Sequence, residues 1–401
     1  MARVATAQTP SIPSIAELLT RAEKVGAIAR ERAPEFEKAR QVSSDLVELM
    51  RELELFRVMQ PKRFGGFEYG YDVFVEAVSR VASGDGSTGW VYSLGAVHPW
   101  MIACYPAEAQ HDFWRDSYDT VAAVSYAPAG KAAPAPGGYR LSGRWSFASG
   151  VDNASWGIVG GIIPMADGAK PGFFLVPKSD YTVHDDWNTM GLCGTGSKTI
   201  VVEDAFIPEH RVVTFQQMLT GQTPGTAINT NPIYRQPMLA VVPNCLVSPA
   251  LGMARGALQA FIDQVGNRTT RGAVAGGNNR MSEFATVQLR VAEATASIDA
   301  AQLMVHRDIR ETSEAVHAGK TVDVDLRLRN RLTHAFATKL CVQAVDAVFV
   351  AMGGSALGMH HPVQRFWRDI HAASSHISLN WDAVGSMYGQ HVFGLEPKGQ
   401  Y

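Results

Sequence analysis

The side chains best suited to moving protons in this chain are histidines near its C-terminal end. His376 closes QRFWRDIHAASSH, and an imidazole that titrates near neutrality can act as a general acid or base. The alternative is a histidine satisfied within its own helix. His371 lies five positions earlier, so on one helix the two rings point roughly 140° apart and do not chelate one metal. His360 and His361, adjacent in GMHHP, have no third ligand at useful spacing. Cys104, Cys193, Cys245 and Cys341 are far apart, without a C-x-x-C pair, which favours reduced thiols and no metal site. A different chemistry is spelled by GDGSTGWVYSLGAVHPW, residues 84 to 100, which opens as G-x-G-x-x-G. That pattern binds a dinucleotide only between a strand and a helix of a βαβ unit. The residues before Gly84 have helical spacing, so the expected role is a helix end and turn. Gly84 or Gly86 would take positive φ, and Ser87 or Thr88 would cap the next helix.

The elements that must position these residues follow from hydrophobic period. Ser14 and Glu17 form an S-x-x-E capping box ahead of Ile15, Leu18, Leu19, Ala22, Val25 and Ile28 at helical spacing. Val73, Phe74, Ala77, Val78 and Val81 mark a further helix. From Asp119 the period changes to short β-type runs such as GYRLSGRWSFASG, WGIVGGIIP and TIVVEDAFIP, broken by Gly, Pro and Asp. Apolar-periodic stretches at 246–266, 283–318, 323–352 and 362–392 then predict four long helices. The expected fold class is α+β: an all-α unit over 1–118, a small antiparallel β-barrel over 119–225, and a four-helix bundle over 226–401. The first dozen residues are expected to be a disordered tail. With 401 residues, 46% hydrophobic content, 18% charged residues and a net charge of −2, the composition is that of a globular protein without an electrostatic footprint for nucleic acid or membrane. No stretch of 18 apolar residues and no secretory leader is found, and a cytoplasmic location is expected.

Helical unit, β unit and bundle in this order resemble the acyl-CoA dehydrogenase fold. FRVMQPKRFGG, STGW with VHPW, SYAP, GRWSFASGVDNASW, WNTMGLCGTGSKTIVVEDAFIPEHR and QRFWRDIHAASSH further resemble the oxygenase components of two-component flavin-dependent monooxygenases, the group containing 4-hydroxyphenylacetate and related phenol hydroxylases. Dehydrogenases of the fold generally use a glutamate soon after Q-x-x-R-D. Here Gln364 to Asp369 match that lead-in, but no acid follows until Asp382, and His376 falls about where that glutamate would lie.

The resemblance implies reduced FMN or FAD as cofactor, O2 as co-substrate, and a C4a-hydroperoxide protected in a mostly apolar cavity. It places Ser149, in SFASG, where a hydroxyl lies beside flavin N5. It makes Trp90 and His98 pocket residues, His376 the acid/base, and Val124, Ser125 and His371 part of the substrate pocket. Trp145 is a candidate flavin neighbour, with β-unit core as its default reading. Thr195, Gly196 and Ser197, in GTGSK, resemble the loop bordering the isoalloxazine. Arg268 and Arg271 with the Gly353-Gly354 turn would take the phosphate, contributed across a homotetramer, and Arg235, in IYRQP, would lie near the ring. Two departures bear on the substrate. The serine that often precedes S-x-A-P is Val124 here, and S-G-x-D-H reads S-G-V-D-N with Asn153. The lost hydroxyl favours a less polar aromatic such as indole, although Ser125 can supply the contact itself.

The function expected is oxygenation of a small aromatic, indole-like or phenolic, using reduced flavin from a separate NAD(P)H:flavin reductase. The alternatives are N- or S-oxygenation on the same fold, and an acyl-CoA dehydrogenase-type flavoenzyme.

Overall fold

The computed structural model describes residues 12–165, 168–266, 268–269 and 280–401. The expected N-terminal tail, apart from its last residue, and Arg271 lie outside the described residues. Helices α1 (Ile15–Ala39), α2 (Ser44–Glu52), α3 (Tyr71–Ala82), α4 (Gly86–Ile102) and α5 (Ala107–Trp114) come first. Ser14 caps α1 by accepting from the Glu17 N–H at 3.2 Å, as the S-x-x-E spacing predicts.

The turn into α4 differs from the expectation. Neither Gly84 nor Gly86 has positive φ, and the cap is Asp85, whose Oδ2 accepts from the Thr88 N–H (2.8 Å) and hydroxyl (2.7 Å). The glycines serve close approach instead. A Cβ on Gly84 would stand 1.9 Å from the Gly26 carbonyl oxygen of α1. A Cβ on Gly89 would stand 2.3 Å from the Ala82 Cβ of α3. These contacts draw α4 into the centre of the protein, where nearly every residue of it is buried.

Seven strands follow: β1 (Ala122–Ala135), β2 (Gly138–Ala148), β3 (Trp156–Ile163), β4 (Lys170–Pro177), β5 (Thr182–His184), β6 (Lys198–Pro208) and β7 (Val212–Thr214). They form one sheet in the order β5-β6-β2-β1-β3-β4-β7. The expectation of a small antiparallel barrel is corrected to a mixed sheet, because β1 pairs β3 in parallel, from Ala122↔Trp156 through Ser125↔Val159. The β2–β3 connection at 149–155 carries the chain over to the far side of β1, which a hairpin turn cannot do. Trp145 belongs to the sheet core. It is 1% exposed, packs with Leu141, Val159, Phe174 and Ile200, and its indole N–H donates to Gly160 O at 2.7 Å.

After α6 (Phe215–Thr220) and α7 (Met238–Val241) come α8 (Asn244–Val265), α9 (Ala285–His317), α10 (Val324–Met352), α11 (Pro362–Ser374) and α12 (Trp381–Val392). The stretch expected as one helix over 362–392 is therefore two. Ser374 and Ser375 turn their hydroxyls back on the His371 carbonyl, and Asn380 restarts the helix by accepting from the Ala383 N–H. His376 sits in the break. Two helical stretches, Met238–Val265 and Val324–Leu357, are long and apolar enough by composition to cross a membrane; 94% of the apolar window of the first is buried inside the protein, against 33% of the second. All four cysteines are free thiols.

Candidate active site

Three elements meet around Trp90, which is 5% exposed on α4. Its indole N–H donates to Ser149 Oγ (3.2 Å) at the end of β2. Ser149 Oγ lies 2.7 Å from Ser197 Oγ, and Ser197 Oγ lies 2.6 Å from Thr195 Oγ1. Thr195 Oγ1 donates to Leu192 O at 2.8 Å. Proton counting fixes the direction of this chain. Because the Thr195 proton goes to the carbonyl, Ser197 must donate to Thr195, and Ser149 must in turn donate to Ser197. Every hydroxyl proton is used, and Ser149 is left with an acceptor lone pair.

The backbone is bent to make this arrangement. Phe147 and Leu192 are non-glycine residues at positive φ (65° and 51°), and each starts a turn that delivers a hydroxyl. The Ser149 N–H donates to Phe147 O, and the Thr195 N–H donates to Leu192 O. Such conformations cost on the order of 1–2 kcal/mol each and gather where function constrains the chain. The Gly150 N–H, donating to Thr195 O at 2.9 Å, ties the two turns together.

Residue 192 is also pinned from the bundle. Asp369 of α11, 2% exposed, accepts the Leu192 N–H on Oδ1 at 2.6 Å, while its Oδ2 is buried without a hydrogen-bond partner among the described residues. Burial, with the neighbouring Asp85 carboxylate, raises its pKa to about 7.

The two candidate histidines present opposite faces. His98, 1% exposed on α4, donates Nδ1–H to Ala122 O at 2.7 Å, so its neutral ring carries a lone pair on Nε2; that atom is buried without a partner among the described residues. His376 accepts the Ser378 N–H on Nδ1 at 3.1 Å, which puts the proton of its neutral ring on Nε2. Its ring lies 6.2 Å from that of Trp90, tilted by 55°. Burial lowers both histidines to about 4; for His376 the charge of Arg331 adds to the effect. Both are therefore neutral at physiological pH, one an acceptor and one a donor.

Ser125, 8% exposed, donates to Ser146 O at 2.9 Å, and Val124 is half-buried opposite Ile158. Both lie on β1, just beyond the Ala122 carbonyl that fixes His98. Gly196 takes φ +53° between Thr195 and Ser197. His371 is engaged elsewhere: its Nε2 meets Asp346 Oδ1 of α10 at 2.9 Å and its ring packs on Trp367. Arg235 is exposed. Arg268 donates to Ser355 Oγ at 2.8 Å and to Met352 O at 3.5 Å, which brings it to the exposed Gly353-Gly354 turn. Trp145 is packed in the sheet core with its N–H on Gly160 O, and His371 is hydrogen-bonded to Asp346. Sequence reasoning missed Asp369, Phe147 and Leu192. The two turn residues carry no sequence signal, because neither is the glycine or asparagine that positive φ favours.

The model of the acyl-CoA dehydrogenase C-terminal domain matches residues 244–381. Over 391 residues, and 96% of each chain, this protein is 45% identical to the FADH(2)-dependent resorcinol hydroxylase, oxygenase component, of Rhizobium sp.. It is 40% identical to the flavin-dependent monooxygenase oxygenase subunit HsaA of Rhodococcus jostii, over 91% of this chain and 95% of that one. Among solved structures it resembles the 3-HSA hydroxylase of Rhodococcus sp. RHA1, with a TM-score of 0.91 at 37% identity, covering 96% of this chain and 98% of the other.

Proposed function

The chain belongs to the oxygenase components of the two-component flavin-dependent monooxygenases, and from that premise we propose that it hydroxylates a small phenolic or indolic aromatic between His98 and His376. The observation that carries this reading is the directed chain from Trp90 through Ser149, Ser197 and Thr195 to Leu192 O. It leaves the buried Ser149 hydroxyl, second in the chain, with only the capacity to accept.

Reduced flavin, when bound, supplies the two electrons and the oxygen-binding centre for the reaction. The residues present fit it. Ser149 offers the acceptor that an N5 proton needs, and the Trp90 N–H keeps that hydroxyl from rotating. Gly196 lets the Thr195–Ser197 turn approach closely. Arg268, beside the Gly353-Gly354 turn, offers a guanidinium and an open backbone for a phosphate. The relative of highest identity named here is FADH(2)-dependent, which favours FAD over FMN. We assign the separate reductase to the same division of labour.

On the substrate side, His98 Nε2 accepts the proton of a phenol O–H or indole N–H as the ring is attacked. His376 Nε2–H donates to developing negative charge on oxygen. A fixed tautomer makes each role available without a change of protonation state in the resting enzyme. Val124 and Ser125 line the same strand, and Ser125, whose proton is committed to Ser146 O, can only accept from substrate. The Val350, Leu303 and Leu357 side chains, each more than 70% exposed on or just beyond α9 and α10, fit a homotetramer in which bundle faces pair. A cytoplasmic location and the division at residues 118 and 225 complete the proposal.

The test is a reductase-coupled assay with resorcinol, 4-hydroxyphenylacetate and indole, following product by chromatography. A hydroxylated product from at least one supports the reading; flavin reoxidation without product from every phenol and indole tried would overturn it.

A further inference from the structure

The carbonyl at which the hydroxyl chain ends is shared. Leu192 O takes the Thr195 hydroxyl at 2.8 Å and also the indole N–H of Trp187 at 3.1 Å. Trp187 lies in the irregular stretch between β5 and β6, half-buried, and stands outside the buried apolar clusters of the helical, sheet and bundle regions. Core packing therefore does not explain it. Its ring meets that of Phe147, with centroids 5.9 Å apart and planes at 83°. Its backbone carbonyl accepts from Arg40 Nη1 at 2.7 Å, and Arg40 forks onto the Asp185 carboxylate at 2.9 and 3.0 Å.

Six non-glycine residues have positive φ among the described residues, and three of them, Arg40, Phe147 and Leu192, are the partners of Trp187 just named. Such residues persist only where their surroundings over-determine them. Phe147 and Leu192 start the turns that deliver Ser149 and Thr195, and Trp187 touches both. The bond from the Gly150 N–H to Thr195 O already joins these turns at one point. One bond fixes a distance and leaves a hinge. The rigid indole plane supplies a second attachment, between the residues at which the turns begin, and two attachments fix rotation as well. A chain whose oxygens stand 2.7 and 2.6 Å apart needs that rotation fixed, because hydrogen bonds weaken steeply with misalignment.

We propose that Trp187 is a positioning residue for the oxygenation: its indole holds the Ser149 and Thr195 turns in one register, so that the Ser149 acceptor is aimed before flavin binds. This rests on the hydroxylase reading and deepens it. Trp187 is not a member of the hydroxyl chain and acts through Leu192 O. With that carbonyl loose, the Thr195 proton has no fixed acceptor and the order of donors behind it is no longer imposed. Ser149 can then turn its proton outward where it must accept.

The experiment is amide hydrogen exchange on the full-length flavin-free protein, read at the Ser149, Gly150 and Thr195 N–H groups. Trp187→Phe keeps an aromatic ring for Phe147 and loses the N–H to Leu192 O, so exchange at Thr195 should quicken roughly five-fold, the equivalent of one neutral hydrogen bond. Trp187→Leu, which loses both contacts, should quicken all three. Coupling is then measured with reductase and resorcinol. Trp187→Phe should raise the peroxide released per reduced flavin, and in a Ser149→Ala background the same substitution should add nothing, because the chain it holds has already lost its end. Exchange unchanged at Thr195 in Trp187→Phe, or a coupling loss that simply adds to that of Ser149→Ala, would overturn the proposal. If Trp187→Leu does not fold, the phenylalanine variant still decides. Faster exchange in a protein that hydroxylates no phenol or indole would leave the positioning role standing and reject the hydroxylase reading, so the two failures are distinguishable.

Discussion

Trp90 and Ser149 are joined by an indole N–H···Oγ bond of 3.2 Å that links α4 to the end of β2. It makes the serine hydroxyl the second member of a one-way chain and leaves it only an acceptor to offer.

Ser149→Ala removes that acceptor. The expected result is a rise in hydrogen peroxide released per reduced flavin consumed and a fall in coupled hydroxylation, on the order of ten-fold for the loss of one buried hydrogen bond. Trp90→Phe should give a smaller effect in the same direction, because the hydroxyl persists and only its orientation is freed. A peroxide-to-product ratio unchanged in Ser149→Ala would remove the serine from the site.

The two histidines should separate by what replaces them. Glutamine at position 376 retains a donor and should keep part of the activity that His376→Ala loses, a loss expected at roughly 100-fold in hydroxylation rate. At position 98 an acceptor is needed, so His98→Phe should be as damaging as His98→Ala. Reoxidation of reduced FAD by oxygen, followed by absorbance, should continue in all of these variants.

Burial of neutral His98 gives a pH signature. Its folded pKa of about 4 lies below the ordinary value of 6.5, so between those two pH values the unfolded chain binds the extra proton. Stability is lost as pH falls from 6.5 towards 4, by up to ~3 kcal/mol from this residue. Melting temperature against pH, measured for the parent and for His98→Phe, should show a shallower acid limb in the variant.

Asp369 acts in the opposite sense. Its carboxyl is raised from 3.8 to about 7, so the folded state holds the proton between those values and stability declines as pH rises through that window. Asp369→Asn keeps an acceptor for the Leu192 N–H and carries no charge. It should melt higher than the parent at pH 8 and retain activity. Asp369→Ala, which drops the Leu192 anchor, should lose coupling as Ser149→Ala does. An asparagine variant less stable than the parent at pH 8 would show that the carboxylate is ionised and stabilising.

How far the sequence could be read depended on whether the deciding interaction is local. Ser149 and the GTGSK turn are visible because short motifs carry them, and the order of helical, β and bundle elements follows from hydrophobic period. The break at His376 is not visible. Ile370, Ala373, Val384 and Met387 continue an apolar pattern across it, while the serine and asparagine caps that interrupt the helix resemble ordinary polar positions. Histidine tautomers are set by Ala122 O and the Ser378 N–H, which no composition reveals. The partners of Trp145 and His371, Gly160 O and Asp346, are likewise distant in sequence and not legible from it.

The most direct test of the whole account is isotopic. The protein is supplied with reduced FAD by a reductase, with resorcinol as substrate and labelled dioxygen as the gas, and the aromatic product is analysed by mass spectrometry. One labelled oxygen atom in the ring product, lost along with product in His98→Phe and His376→Ala, is the result expected. Product carrying oxygen from water, or labelled hydrogen peroxide as the sole oxygen product, would contradict it.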